Sequence, residues 1–164
     1  MKVNTKLLIL GSSSISDEVY SHLAVELGRD VNPNGGRALN PEDTTEFKNE
    51  LVGTNNQKAE MIFERACQII NDADFIVIDL SAASTGVGVE AMIAIPLIKS
   101  GKKIAFIAKE GTKISPHIVG VYKTVTEKDI EVQTYKTEEN MIHAVKRTDG
   151  YQEYKQELEN SKKH

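Results

Sequence analysis

Ser81-Ala82-Ala83-Ser84-Thr85-Gly86-Val87-Gly88-Val89-Glu90 brings hydroxyls, glycines and one carboxylate together within ten residues. The run follows the apolar stretch Phe75-Ile76-Val77-Ile78, which ends in Asp79. It precedes the helix-like Ala91-Met92-Ile93-Ala94-Ile95. A strand, a small-residue turn and a helix start suit an anion, because bare backbone N–H groups meet the positive end of a helix dipole there. Glu90, facing the same crevice, would stand ready as nucleophile or base. Two plainer readings stay open at this point. A carboxylate early in a helix complements the dipole without doing chemistry, and serine-glycine runs also make ordinary tight turns.

A second small-residue turn, Gly11-Ser12-Ser13-Ser14, follows the apolar run Leu7-Leu8-Ile9-Leu10. Two serine-bearing turns at one sheet edge would hold a phosphate on hydroxyls and N–H groups without an arginine. The dinucleotide glycine pattern, the Walker lysine motif and the G-x-S-x-G elbow are all missing from the chain. His22, His117 and His143 stand at no metal-ligand spacing, and Cys67 is the single cysteine. Neither a metal nor a cofactor is expected.

The elements that position these turns read as alternating strands and helices. Leu7 to Leu10 suits a strand buried on both faces of a parallel sheet. Ser16 caps a helix carrying Val19, Leu23 and Leu27, with Gly28 as its stop. Residues 29–53 hold turn chemistry, a short second strand near Val31, and either a lid or a surface excursion. Met61, Ile62, Cys67, Ile69 and Ile70 resume helical spacing. Strands follow at 75–79, 103–108 and, more exposed, 130–135. Pro96 kinks the intervening helix or marks a late turn, and Gly101 closes it. Thr137-Glu138-Glu139 opens another helix, with Met141, Ile142 and Val145 on its apolar face. This order predicts an α/β fold: a single-domain, doubly wound (flavodoxin/Rossmann-like) parallel five-stranded sheet flanked by helices over residues 1–148. Residues 149–164 read as a polar C-terminal tail or a frayed helix. Ligands of such sheets bind outside the carboxyl ends of the strands.

The 164 residues are 40% hydrophobic and 27% charged, with a net charge of −4 and no basic stripe, which argues against nucleic acid as a partner. The first apolar run is too short for a signal-peptide core or a membrane span. The lone cysteine suits a reducing compartment, so the expectation is a cytoplasmic protein away from membranes.

Ala73-Asp74-Phe75-Ile76-Val77-Ile78-Asp79-Leu80 followed by Ser84-Thr85-Gly86-Val87-Gly88-Val89-Glu90 resembles the signature of the nucleoside 2-deoxyribosyltransferase family. Within it, the closer likeness is to the 2′-deoxynucleoside 5′-monophosphate N-glycosidases (N-hydrolases). Gly11-Ser12 and Ser115-Pro116-His117-Ile118-Val119-Gly120 add to the likeness, which spans roughly residues 6–135 and is poor over the middle loop. The resemblance implies that Glu90 attacks the anomeric carbon, displaces the base and forms a glycosyl-enzyme intermediate. Water then resolves it in hydrolases, a second base in transferases. It further implies a small-molecule nucleotide substrate and a pocket of Gly11, Ser12, Ser13, Ser84, Gly86, Gly88 and Ser115.

Free-nucleoside transferases tend to carry aspartate six residues before the glutamate, where this chain has Ser84. An aspartate there would repel a phosphate dianion by on the order of several kcal/mol in a partly buried site, so Ser84 favours a 5′-monophosphate. Ser115 matches a serine that reaches the phosphate from a neighbouring subunit, which implies a homodimer or higher homo-oligomer with shared sites. Two positions depart from the hydrolase pattern. Leu8 replaces a tyrosine that positions the nucleophile, and Ala66 replaces an aspartate that assists proton transfer to the base. Glu60 and Glu64 are the carboxylates on the same helix. The alternative expectation is therefore a nucleotide-binding or sensing protein of the same fold that has lost turnover.

Overall fold

The computed structural model describes residues 2–12, 15–32, 34–43, 51–82 and 84–163. Ser13, Ser14, Ala83 and residues 44–50, part of the stretch read as either a lid or a surface excursion, lie outside the described residues.

Five parallel strands form one sheet in the order β2-β1-β3-β4-β5. They are β1 (Val3–Leu10), β2 (Arg37–Leu39), β3 (Phe75–Asp79), β4 (Lys103–Lys109) and β5 (Val132–Tyr135). The helices are α1 (Asp17–Val31), α2 (Asn55–Asp72), α3 (Thr85–Ala94), α4 (Pro116–Thr126), α5 (Met141–Arg147) and α6 (Asp149–Ser161). The doubly wound parallel sheet is as the alternating pattern predicts.

Continuous apolar strands are needed because both sheet faces are covered. Leu7 and Ile9 of β1, with Phe75 and Val77 of β3, point into a layer with α1, α5 and α6. Leu8 and Leu10, with Ile76 and Ile78, point into the opposite layer with α2, α3 and α4. The alternation is the two-residue period of a strand, so each apolar run serves two cores.

Two expectations change, and a third resolves to one of its alternatives. Val31 ends α1 rather than starting a strand, and β2 begins six residues later at Arg37. Gly28 does not stop α1; it is buried within the helix, and a methyl group there would lie 2.2 Å from the carbonyl oxygen of Gly36. Glycine at this position lets α1 approach β2 closely. The stretch after Thr148 is helical, and Tyr151 and Tyr154 are buried against Phe75 at ring-centroid distances of 5.8 and 5.1 Å. Burial pushes the Tyr154 hydroxyl up to about 12. Pro96 opens a short 3₁₀ turn (Ile95–Ser100) after α3, and Gly101 closes it with a φ of 91°, a conformation glycine adopts readily.

Candidate active site

β1 and β3 are neighbours at the point where the sheet order reverses: the chain moves outward from β1 to β2 on one side and from β3 to β4 on the other. Such a pair opens a crevice at its carboxyl ends. Gly11 and Ser12 leave β1 there, and Leu80, Ser81 and Ala82 leave β3 there.

Beneath both turns lies a buried polar network centred on Asp79. One carboxylate oxygen, Oδ2, accepts from the hydroxyls of Tyr20 on α1 and Tyr135 on β5, each at 3.0 Å. The other, Oδ1, accepts from Ser81 N–H at 3.0 Å and Ser81 Oγ–H at 2.5 Å. Ser81 Oγ in turn accepts from the main-chain N–H of Lys109 at 2.7 Å. Asp79 is fully buried, so these donors replace the water it has lost. Burial, and then the Asp79 charge, pushes the Tyr20 hydroxyl far above its ordinary range. Burial and the same charge raise Tyr135, partly offset by its hydrogen bond with Ser81. Both phenols therefore stay protonated and keep donating. The network reaches the β1 turn as well: Ser12 N–H bonds to the Tyr20 hydroxyl, and a methyl group on Gly11 would lie 2.2 Å from that phenol.

α3 packs on the other face of the sheet. Its Ser84 cap accepts from Val87 N–H at 3.1 Å, leaving the hydroxyl proton available to a further acceptor. With 3.6 residues per turn, the helix presents three faces. Val87, Ala91 and Ala94 are buried against the sheet. Gly88 and Met92 turn toward α4, while Gly86 and Glu90 fall on the other flank, toward α2. Glu90 is half-buried.

A cleft of about 780 Å³ lies between α3 and α4. Ser84, Gly88 and Ser115 border it, together with Lys113, His117 and an apolar wall that includes Val89, Met92 and Ile114. Ser115 starts α4 without a side-chain capping bond. Glu90, Gly86, Gly11 and Ser12 do not border this cleft. The structure thus brings Ser84, Gly88 and Ser115 of one chain together in the cleft, where the resemblance implies a Ser115 from a neighbouring subunit, and leaves the nucleophile candidate on the other flank of α3. Ser12 is buried rather than lining open space, and Ser13 lies outside the described residues.

Among the described residues, Gly86 and Gly88 have no packing reason to be glycine. A methyl group on Gly88 would meet nothing within 4 Å, and one on Gly86 would meet only Ser84 Oγ, at 3.9 Å. Each glycine costs a helix about 0.5–1 kcal/mol relative to alanine, so the open space beside them has the character of a site.

Leu8 is buried in the apolar layer under α2 and α3, at 1% exposure, and Ala66 is buried on α2 itself, at 7%. Glu60 and Glu64 are exposed on α2 and do not join the buried face formed by Ala66, Ile69 and Ile70. Sequence reasoning missed Tyr20, Tyr135 and Ser81 as the floor of the crevice. The one available signal was Asp79, an acid ending an otherwise apolar strand. Among the described residues, no group of three or more His, Cys, Asp or Glu side chains could hold a metal ion, and no helix is long and apolar enough to cross a membrane.

No protein-family model matches the sequence, and no curated protein matches it. Among solved structures, the fold is similar to a 2-deoxyribosyltransferase from the psychrotolerant bacterium Bacillus psychrosaccharolyticus, a biocatalyst for the synthesis of antiviral and antitumoral nucleosides. The match has a TM-score of 0.50 at 18% identity and covers 83% of this chain and 90% of that one. At that identity the likeness shows the fold: a parallel α/β sheet of the kind that supports deoxyribosyl transfer in that protein.

Proposed function

We propose that the protein binds a nucleoside 5′-monophosphate at the carboxyl end of β1 and β3 and cleaves its N-glycosidic bond through Glu90. The observation that carries this reading is the placement of α3. Its N-terminal turn bears Ser84 beside an open cleft, and its next turn carries Glu90 on the flank nearest the reversal of strand order. A Glu90 carboxylate oxygen attacks C1′ of the sugar. The C1′–N bond breaks, its electron pair leaves with the base, and the base takes up a proton. The resulting glycosyl ester is then opened by water, which frees Glu90 and returns the sugar phosphate.

The phosphate would accept hydrogen bonds from the hydroxyls of Ser84 and Ser115 and sit by the glycines of α3. Support comes from the separation of charges: no carboxylate borders the α3–α4 cleft, so a dianion meets no close repulsion there. The reading includes a homodimer. Val89 and Met92 are 44% and 43% exposed on the same face, and a second copy covering them would enclose the cleft.

A second reading, a nucleotide sensor without turnover, is favoured by Leu8 and Ala66. Both are apolar and buried, and neither supplies a proton to a leaving base. Incubation with a panel of ribo- and 2′-deoxynucleoside 5′-monophosphates, followed by chromatography for free base, separates the two. Base release lost in Glu90→Gln supports the glycosidase. Calorimetric binding without base release supports the sensor, and binding of none of the panel rejects both.

A further inference from the structure

The α3–α4 cleft carries a charge pattern unlike that of the chain around it. Acidic residues outnumber basic ones by 24 to 20, yet the cleft has no acidic lining residue and one lysine, Lys113. His117 borders it from the first turn of α4, and Ser84 and Ser115 supply hydroxyls. Lys113 forms no ion pair with any described residue, although the chain pairs many of its other lysines, including Lys6, Lys102, Lys103, Lys123 and Lys146. The remaining wall is largely apolar, with Val89, Met92 and Ile114 among its members. A monoanion or dianion brought into such a cleft loses water, and hydroxyls alone leave its charge uncompensated. A lysine ammonium on a flexible stem compensates it as a point charge and follows the phosphate as it settles.

We infer that Lys113, assisted by His117, is a specificity-determining residue of this cleft: it selects phosphorylated nucleosides over unphosphorylated ones by pairing with the 5′-phosphate between Ser84 and Ser115. The inference rests on the proposed nucleotide-binding reading and adds to it the cationic partner that the two serines lack. It does not depend on turnover, because Lys113 acts on binding while Glu90 acts on bond cleavage. Lys113 is exposed and away from the packed core, so its replacement leaves the fold in place.

The experiment is titration calorimetry on the full chain with the four 2′-deoxynucleoside 5′-monophosphates and their parent nucleosides. The proteins are wild type, Lys113→Gln, Lys113→Arg and His117→Gln, each checked for an unchanged melting temperature. The expected result has three parts. Monophosphates bind wild type more tightly than nucleosides, Lys113→Gln weakens monophosphate binding by about tenfold (~1.4 kcal/mol), and Lys113→Arg restores most of it. His117→Gln loses a smaller factor, and nucleoside binding stays the same in every variant. Equal monophosphate affinity in wild type and Lys113→Gln overturns the inference while leaving the nucleotide site standing. Failure of wild type to bind any monophosphate overturns the site, and the inference with it.

Discussion

The two faces of the sheet differ in kind at its carboxyl edge. On the face that carries α1 and α5 it is polar and tightly bonded: Asp79 takes four hydrogen bonds from Tyr20, Tyr135 and Ser81, and Ser12 and Gly11 press against the Tyr20 phenol. Toward α4 it is open and apolar, with Gly88 facing empty space and Ser115 lacking a capping bond. One side is built to hold backbone in place; the other leaves room. The proposed site needs both, a fixed edge from which α3 starts and an open cleft that admits a substrate.

Breaking either side, or the carboxylate proposed to react, should give a distinct failure. The largest expected effect is chemical. Glu90→Gln should lower base release from a nucleoside 5′-monophosphate by on the order of a thousandfold or more, with monophosphate affinity and melting temperature little changed. Parallel loss of affinity or stability would show that Glu90 is a structural residue of the flank instead.

The next effect is on stability, on the bonded side. Asp79→Ala should cost about 3 kcal/mol, because it strands two buried phenols and the Ser81 N–H. Urea unfolding measures it, and a cost below about 1 kcal/mol would mean that the network contributes no more than a single ordinary hydrogen bond. On the open side the sign reverses. Gly88→Ala should stabilise the fold by about 0.5–1 kcal/mol, since the methyl group meets no neighbour and the helix gains propensity. The same change should weaken monophosphate binding. A destabilised Gly88→Ala would remove the open-space argument.

The smallest effect is a pH dependence of the bonded side. The hydroxyls of Tyr20 and Tyr135 lie above the ordinary phenol range in the folded protein. The unfolded chain therefore loses those protons first, as pH rises past about 10. Their contribution to stability is fully present below that pH and falls as pH climbs through and above it. Melting temperatures measured between pH 8 and 11 should drop more steeply for wild type than for Tyr20→Phe. Parallel curves would contradict the assignment.

The strand pattern and the start of α3 were legible in the sequence because they are local. Four apolar residues before Gly11, and four before Asp79, signal buried parallel strands without reference to the rest of the chain. What sequence alone concealed depends on distant partners. Tyr20 and Tyr135 meet Asp79 across 59 and 56 residues, and no periodicity encodes that meeting. Gly28 looked like a helix stop because glycine usually is one; its actual role is close contact with Gly36, on the strand side of a turn. The separation of Glu90 from Ser84 and Ser115 was hidden for a third reason. Spacing of six residues along a chain says little about which flank of a helix each side chain takes until the helix axis is placed between its neighbours. Tyr151 and Tyr154 make the same point at the C-terminus: a polar average concealed two aromatic residues at helical spacing, both buried on Phe75.

The division of labour across α3 is tested most directly by a crystal structure of Glu90→Gln soaked with an uncleaved 2′-deoxynucleoside 5′-monophosphate. The account predicts the phosphate between the Ser84 and Ser115 hydroxyls and C1′ turned toward the side chain at position 90. A phosphate seated against Gly11 and Ser12 with the α3–α4 cleft empty, or C1′ directed away from position 90, would contradict it.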